Sequence, residues 1–318
     1  MVKFSIIIPV KPGGHVAAID CIRRAGLENT LFEIFRAEGS VPSRQRNLAA
    51  EQAQGEILYF LDDDSCLNPG ILQRCSALMS DQAVAVVGGP SITPASDTRL
   101  QLLFGYALSS LLGAGPVRNR YRSHGTVRET TEKELILCNL AIRRSVYLDM
   151  GGLDERLYPN EENELMDRIR AAGLKLVHDP DMFVQRSQRS TLRAFTRQMF
   201  AYGRGRAQQS LLSEKWNPVS FVPLLFVVYL FMLPFATVLS PLFIAPLALY
   251  ALLIIFSTLE SLYANRSPLS CGLFLLVPFM HVVNGYGLLY GLLGGMPRQR
   301  SAEDVKITRI KGFDQNLW

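Results

Sequence analysis

Between Asn217 and Met296 the chain is almost without charge: Glu260 and Arg266 are its only formally charged residues there. That absence excludes an ordinary water-facing surface, and about 20 mostly apolar residues suffice to span a bilayer. Spans are expected over 219–240 and 242–263. A third apolar segment, 269–295, is interrupted by Pro278, His281, Asn284 and several glycines. Cysteine and histidine are also scarce, at five and four in 318 residues. They form no CxxC pair and no cluster at zinc spacing, which argues against a zinc module or a dithiol centre. Cys21, Cys66, Cys75, Cys138 and Cys271 are therefore expected to be reduced structural thiols. A leader peptide is not apparent either: "MVKFSIIIPVKPGGH" breaks at Lys11 and reads as a strand opening a domain.

What remains, residues 1–216, has the composition of a water-soluble head, so the whole reads as a membrane protein carrying one. The net charge of +5 does not suggest nucleic acid. Its basic residues crowd just before the apolar region and in the tail, 297–318, where anionic membrane lipids are the better partner. Within the head, strands and helices alternate. "FSIIIPV", "LFEIF", "EILYFL" and "AVAVVGG" are continuous apolar runs of the kind buried in a parallel sheet. Helical spacing separates them at 15–26, 43–55 and 70–80. This order predicts an α/β doubly wound sheet, with ligands at the carboxyl ends of its strands. Residues 113–134 are polar and arginine-rich, and read as a long mobile loop whose Arg118, Arg120, Arg122 and Arg128 either meet phosphates or are simply solvated. Residues 190–216 mix arginine with apolar residues directly ahead of the first span, and an interfacial amphipathic helix is expected.

Two acidic clusters concentrate the chemistry. "ILYFLDDDSCLNPG" places Asp62, Asp63 and Asp64 where a buried strand ends. A turn or helix cap needs one such residue, whereas three adjacent carboxylates repel unless a cation sits among them. Asp-x-Asp suits Mg2+ or Mn2+, hard ions held by carboxylates together with substrate phosphates. The second cluster, "NEENELMDR", puts Glu161, Glu162 and Glu164 at a helix start. The helix dipole favours them there, but three exceed what capping requires, and one facing the metal would serve as general base.

"SIIIPV", Arg46-Asn47, "GEILYFLDDDS", "CNLAIRRSVYLDMGGLDERL" and "NEENELMDRIRAAGLKL" follow one another as in the family 2 glycosyltransferases. The head, over roughly residues 3 to 186, resembles these inverting enzymes, and with "YGRGRA" it is most similar to the succinoglycan and exopolysaccharide-biosynthesis type. The resemblance implies a GT-A fold (a Rossmann-like nucleotide-diphospho-sugar transferase domain, 1–189) followed by C-terminal transmembrane helices over 217–296. It implies ribose and metal–diphosphate contacts for Asp62 and Asp64, with Asp63 between them, and a divalent cation as cofactor. Pro9 and Val10 would flank the nucleotide base. Glu38 takes an acidic base-reading position, although Ala37 replaces the usual first aspartate. Arg46 would approach the nucleotide. Glu161-Glu162 stands where the family has Glu-Asp, so Glu162 takes the place of the catalytic base with one extra methylene. Asn139, Asp154, Gln198 and Tyr202 fall on the acceptor side. The Gln-x-x-Arg-Trp motif of processive members is missing.

The implied partners are a nucleotide-diphosphate sugar and a lipid-linked acceptor. A lipid phosphate is already ionised near neutral pH and hardly needs a base, so Glu162 suits a saccharide hydroxyl on a lipid carrier better. Transfer to a polyprenyl phosphate remains the alternative, as does a catalytically inactive sugar-nucleotide-binding protein. A nucleotidyltransferase would want a glycine-rich basic loop after the first strand, which "PVKPGGHVAA" only weakly imitates. The implied location is a bacterial inner membrane with the head in the cytoplasm. Three full crossings would then place the basic tail outside, against the positive-inside tendency. Either the third apolar segment is re-entrant or flat, or the tail is exported.

Overall fold

β1 (Phe4–Val10) is buried at every residue and forms the spine of the head. Its isoleucines suit a pleated surface covered on both faces. The computed structural model describes residues 2–296 and 304–317. The remaining strands are β2 (Phe32–Glu38), β3 (Ile57–Leu61), β4 (Cys66–Leu67), β5 (Val84–Gly88), β6 (Ser91–Ile92), β7 (Arg128–Glu129), β8 (Asn139–Arg143), β9 (Lys175–His178), β10 (Val184–Gln185) and β11 (Lys306–Lys311). The helices of the head are α1 (Ala17–Arg24), α2 (Pro42–Gln52), α3 (Ile71–Leu78), α4 (Arg99–Ser109), α5 (Leu111–Ala114), α6 (Arg144–Asp149), α7 (Glu161–Ala171) and α8 (Leu192–Ser213). Three apolar helices follow: α9 (Val222–Leu239), α10 (Ala245–Asn265) and α11 (Leu273–Leu293).

The main sheet runs β11-β2-β1-β3-β8-β5-β9-β7. β1 is parallel to β2 and β3, and β5 is parallel to β9. β8 lies antiparallel between β3 and β5, so the doubly wound α/β expectation holds with one reversed strand at its centre. Two apolar layers cover the faces, one around Ile6, Tyr59 and Leu72, the other around Ile7, Phe60 and Ile169. A small sheet, β4-β10-β6, extends the carboxyl edge and carries the chain past the aspartates.

Several expectations need correction. Cys21 and Cys66 form a disulfide that ties α1 to β4, with their Cα atoms 5.1 Å apart. Only Cys75, Cys138 and Cys271 are free thiols among the described residues. Residues 113–134 are not a loose loop, because their arginines find partners within the chain. Arg128 meets Glu134 at 2.7 Å, Arg118 meets Glu260 at 3.2 Å, and Arg120 is buried. Part of the basic tail is a strand: β11 pairs antiparallel with the outer edge of β2. Lys311 within it is buried, donating to the carbonyls of Asn29 (2.5 Å) and Phe32 (2.6 Å). Residues 297–303 and Trp318 of the expected basic tail lie outside the described residues.

α9, α10 and α11 are each long and apolar enough to cross a membrane. They are not equally free. The α9 segment buries none of its apolar window inside the protein, and that of α11 buries 39%. α11 lies along α8, where glycines let the backbones meet. A Cβ built on Gly203 would fall 2.1 Å from the Asn284 carbonyl, and one on Gly287 2.1 Å from that of Phe200. The buried face of α8 (Phe195, Met199, Ala207) is thus covered by α11 and α4, while Arg193 and Arg197 on its other side stay exposed.

Candidate active site

Asp62, Asp63 and Asp64 follow β3 directly, at the carboxyl edge of the sheet where its parallel strands end. The positive partners their spacing calls for are two arginines. Arg46, on α2, lies 2.9 Å from Asp62 Oδ1 and 3.8 Å from Glu161 Oε1, and is 4% exposed. Arg186, just after β10, donates from Nε to Asp64 Oδ1 at 2.7 Å, with Nη2 3.1 Å from Asp62 Oδ2. Burial disfavours its charge, but the Asp62 and Asp64 carboxylates hold it protonated well above its ordinary value. Asp63 forms no ion pair with either arginine. Burial, then its two neighbours' charges, push its carboxyl up, and its carbonyl accepts from the Ala18 N–H at the start of α1.

Arg186 was not singled out from the sequence. It is 122 residues from Asp64, and only the β4-β10 pairing brings it there. A closing arginine after a short strand gives no local signal.

Hard carboxylate oxygens one residue apart suit Mg2+ or Mn2+, and the place between Asp62 and Asp64 already accommodates a cationic group. No cluster of three or more His, Cys, Asp or Glu side chains with metal-holding geometry is formed among the described residues. The two aspartates would therefore need substrate oxygens to complete a shell.

Around this edge the expected nucleotide residues gather. Pro9 and Val10 end β1 in register with Ala37 and Glu38 of β2. Glu38 Oε1 accepts from the Gly13 N–H at 2.5 Å, which with Arg36 holds its carboxyl below the usual range. That loop closes over the end of β1.

At α7 the consecutive glutamates part company. Asn160 enters the helix with φ 88°, a left-handed conformation that asparagine tolerates. Glu161 turns inward to Arg46. Burial, and then the Glu162 charge, raise its carboxyl pKa, although Arg46 opposes this. Glu162 turns to the other side, 3.7 Å from Arg120 Nη1, and among the described residues no hydrogen-bond donor engages its carboxylate. Arg120 is itself fixed by the Glu132 and Lys133 carbonyls and by Asn163 Oδ1. Glu162 lines a cavity of about 490 Å3 that runs from Arg120 and Tyr202 past Leu111 to Val219 and Met280. Its floor is α8, brought close because Gly205 leaves room: a Cβ there would fall 2.4 Å from the Pro159 carbonyl.

The four acceptor-side residues do not converge. Tyr202 lines the cavity and accepts from Gln198 Nε2 at 2.7 Å; Gln198 in turn accepts from Arg189. Asp154 is held by Arg156 at 2.6 Å, away from the cavity lining. Asn139 is fully buried, accepting from the Tyr59 hydroxyl at 2.6 Å and donating to the Met182 carbonyl at 2.5 Å. It braces the sheet beneath the aspartates.

Residues 57–292 match the model of the glycosyl transferase family group 2. Two curated relatives, the pre-mycofactocin glycosyltransferases of two Mycobacterium tuberculosis strains, are 27% identical over 162 residues, 51% of this chain. The chain spans 33% of the length of each. Among solved structures, the mannosyltransferase PcManGT from Pyrobaculum calidifontis, in complex with GDP-Man and Mn2+, superposes with a TM-score of 0.59 at 14% identity. The superposition covers 92% of this chain and 88% of that one, and shows a shared GT-A-like fold. With its match running from β3 through the aspartates and α7 into α11, the chain belongs to glycosyl transferase family group 2.

Proposed function

We propose that the protein is a metal-dependent inverting glycosyltransferase. It moves a sugar from a nucleotide-diphosphate donor to a lipid-linked saccharide, in cell-surface polysaccharide or glycolipid synthesis of the exopolysaccharide type. The observation that carries this reading is the division of labour at α7. Glu161 is tied through Arg46 to Asp62, while Glu162 opens into an apolar cavity beside the membrane helices.

In this reading, Pro9, Val10 and Glu38 flank the base, and Arg46 orients Asp62. Asp62 and Asp64 hold a Mg2+ or Mn2+ with the donor diphosphate, as suits a fold whose relative was solved with GDP-Man and Mn2+. When bound, such an ion stabilises charge on a departing diphosphate. Glu162 accepts the proton of an acceptor hydroxyl, which then attacks the anomeric carbon from the face opposite the nucleotide. Arg120, 3.7 Å away, holds the Glu162 side chain at the mouth of the cavity. The acceptor's lipid chain lies along Leu111, Val219 and Met280, so transfer occurs at the membrane surface. The cytoplasmic placement of the head follows from the need for nucleotide sugar.

The test is a titration of the purified full chain with nucleotide diphosphates, with and without Mn2+, followed by transfer assays. One nucleotide is expected to bind in a metal-dependent way, and Asp64→Ala to abolish that binding. Glu162→Gln is expected to keep it while slowing transfer by about 10^2–10^4-fold. Absence of metal-dependent binding for every nucleotide would sink the reading.

A further inference from the structure

A second, polar cleft adjoins the cavity. It has a volume of about 360 Å3 and is lined by Lys133, Arg170, Arg206 and Lys215, with Glu132 and Asp167 as its only carboxylates and Trp216 at its rim. Positive charge is therefore in excess. Of the four cations, only Arg170 is ion-paired among the described residues, to Glu132 at 3.7 Å. Arg206 donates to Gln209 Oε1 at 3.1 Å and has no carboxylate at ion-pair distance among the described residues. Arg206 lines both cleft and cavity, as do Lys133 and Asn217. Burial and the nearby Arg120 weaken its hold on its proton, against the more distant charges of Glu132, Glu162 and Asp167. A half-buried guanidinium with no carboxylate at ion-pair distance is a ready donor to an anionic ligand.

The depth of the cleft is set by the chain itself. Lys215, Trp216 and Asn217 directly precede the first apolar segment, Pro218–Leu239. Trp216 is 55% exposed and packs against Phe221 with ring centroids 5.4 Å apart, an arrangement suited to the headgroup level of a bilayer. At that depth the abundant anion is phosphate, which the planar guanidinium fork binds well. The apolar cavity next door accommodates a chain.

We propose that this cleft binds the phosphate group of a lipid whose chain lies along the apolar cavity, with Arg206 as the central contact and Lys133 and Lys215 beside it. The inference rests on the lipid-linked acceptor of the preceding subsection. It adds that the carrier's phosphate sits apart from Glu162, leaving Glu162 to face the saccharide hydroxyl.

Binding, not turnover, tests it. The full chain carrying Trp318→Phe, in neutral detergent, would be titrated with farnesyl phosphate while Trp216 emission is followed. Farnesol, inorganic phosphate and dioleoylphosphatidylglycerol serve as comparison probes. Saturable binding of farnesyl phosphate is expected. Arg206→Gln and the exposed Lys215→Gln should each weaken it about tenfold or more, while Lys175→Gln, remote on β9, should leave it unchanged. Equal affinity for phosphatidylglycerol supports the site and makes bulk membrane lipid its source. Selective binding of farnesyl phosphate supports it with the carrier as source. Equal affinity for farnesol or for inorganic phosphate overturns the proposal, as does wild-type affinity in both variants. Mn2+–nucleotide binding measured on the same samples reports the donor site separately, so failure of the transferase reading is distinguishable.

Discussion

Replacing Arg186 with methionine is expected to tighten the binding of free Mn2+, although it removes a residue from the donor site. Arg186 reaches Asp64 at 2.7 Å and Asp62 at 3.1 Å, with its side chain 21% exposed. A divalent cation that takes those oxygens must displace both contacts. Charge-assisted hydrogen bonds contribute about 1.5–3 kcal/mol each. The displaced guanidinium is partly wet and regains water, so about half of the gross sum, roughly 1.5–3 kcal/mol, opposes the metal. At about 1.4 kcal/mol per factor of ten, the Arg186→Met protein should bind Mn2+ about 10- to 150-fold more tightly. Methionine keeps most of the stem's packing. The assay is a titration of the full chain in detergent without nucleotide, with free Mn2+ counted by electron paramagnetic resonance. Asp64→Ala should lose the site. Unchanged or weaker affinity in Arg186→Met would refute the view that this guanidinium occupies the cation's place.

Other outcomes follow from the same structure. Burial and the Glu132 charge push the Asp167 carboxyl up to about 6, so the folded state holds its proton more tightly than the unfolded chain. Stability is then lost as pH rises from about 4 to 6 and stays lower above. Asp167→Asn should raise the Tm at pH 7.5 and give no gain near pH 4, and a lowered Tm at pH 7.5 would contradict this. Gly287→Ala would place a Cβ 2.1 Å from the Phe200 carbonyl. Overpacking of about 1–3 kcal/mol should outweigh the roughly 1 kcal/mol that alanine adds to a helix; a Tm in detergent at or above wild type would show that α8 and α11 do not meet there. Arg309 lies 2.7 Å from the fully buried Glu33. Arg309→Ala should destabilise the head by about 2–3 kcal/mol in urea unfolding, and a change under half a kcal/mol would mean β11 adds little.

Much of the head was legible because its signals are local. β1 and β3 are uninterrupted apolar runs, and α7 announces itself by acidic residues over an apolar stripe. The aspartates could be read as a cation site because their mutual repulsion is evident from spacing alone. What escaped is what long-range pairing creates. Arg186 becomes part of the site only through the small sheet. The arginines of 113–134 look unpaired until Glu134 and Glu260 are seen beside them. α8 has the composition of a headgroup-facing helix, yet its glycines are spaced for another helix. "KITRIK" alternates as a strand does, but its charges hid that beneath the reading of a basic tail. Cys21 and Cys66 carry no motif, and their pairing depends on α1 lying beside β4.

β11 has a consequence for how the molecule meets a bilayer. It is contributed from beyond the last apolar helix and joins the same sheet as β1, which comes from before the first. Two stretches hydrogen-bonded into one sheet lie on one side of any barrier, so the intervening chain can pierce that barrier only an even number of times. Of α9, α10 and α11, at most two would then cross, unless the bent pair of α4 and α5 supplied a further crossing. Glu260, near the far end of α10, reaches Arg118 of the head at 3.2 Å, as it would if α9 and α10 were the outward and return legs. α11, pressed along α8, would then lie on the surface. In that arrangement the chain would be a hairpin clasped at its base, and an epitope added after the tail should be reached from the same side as one added before β1.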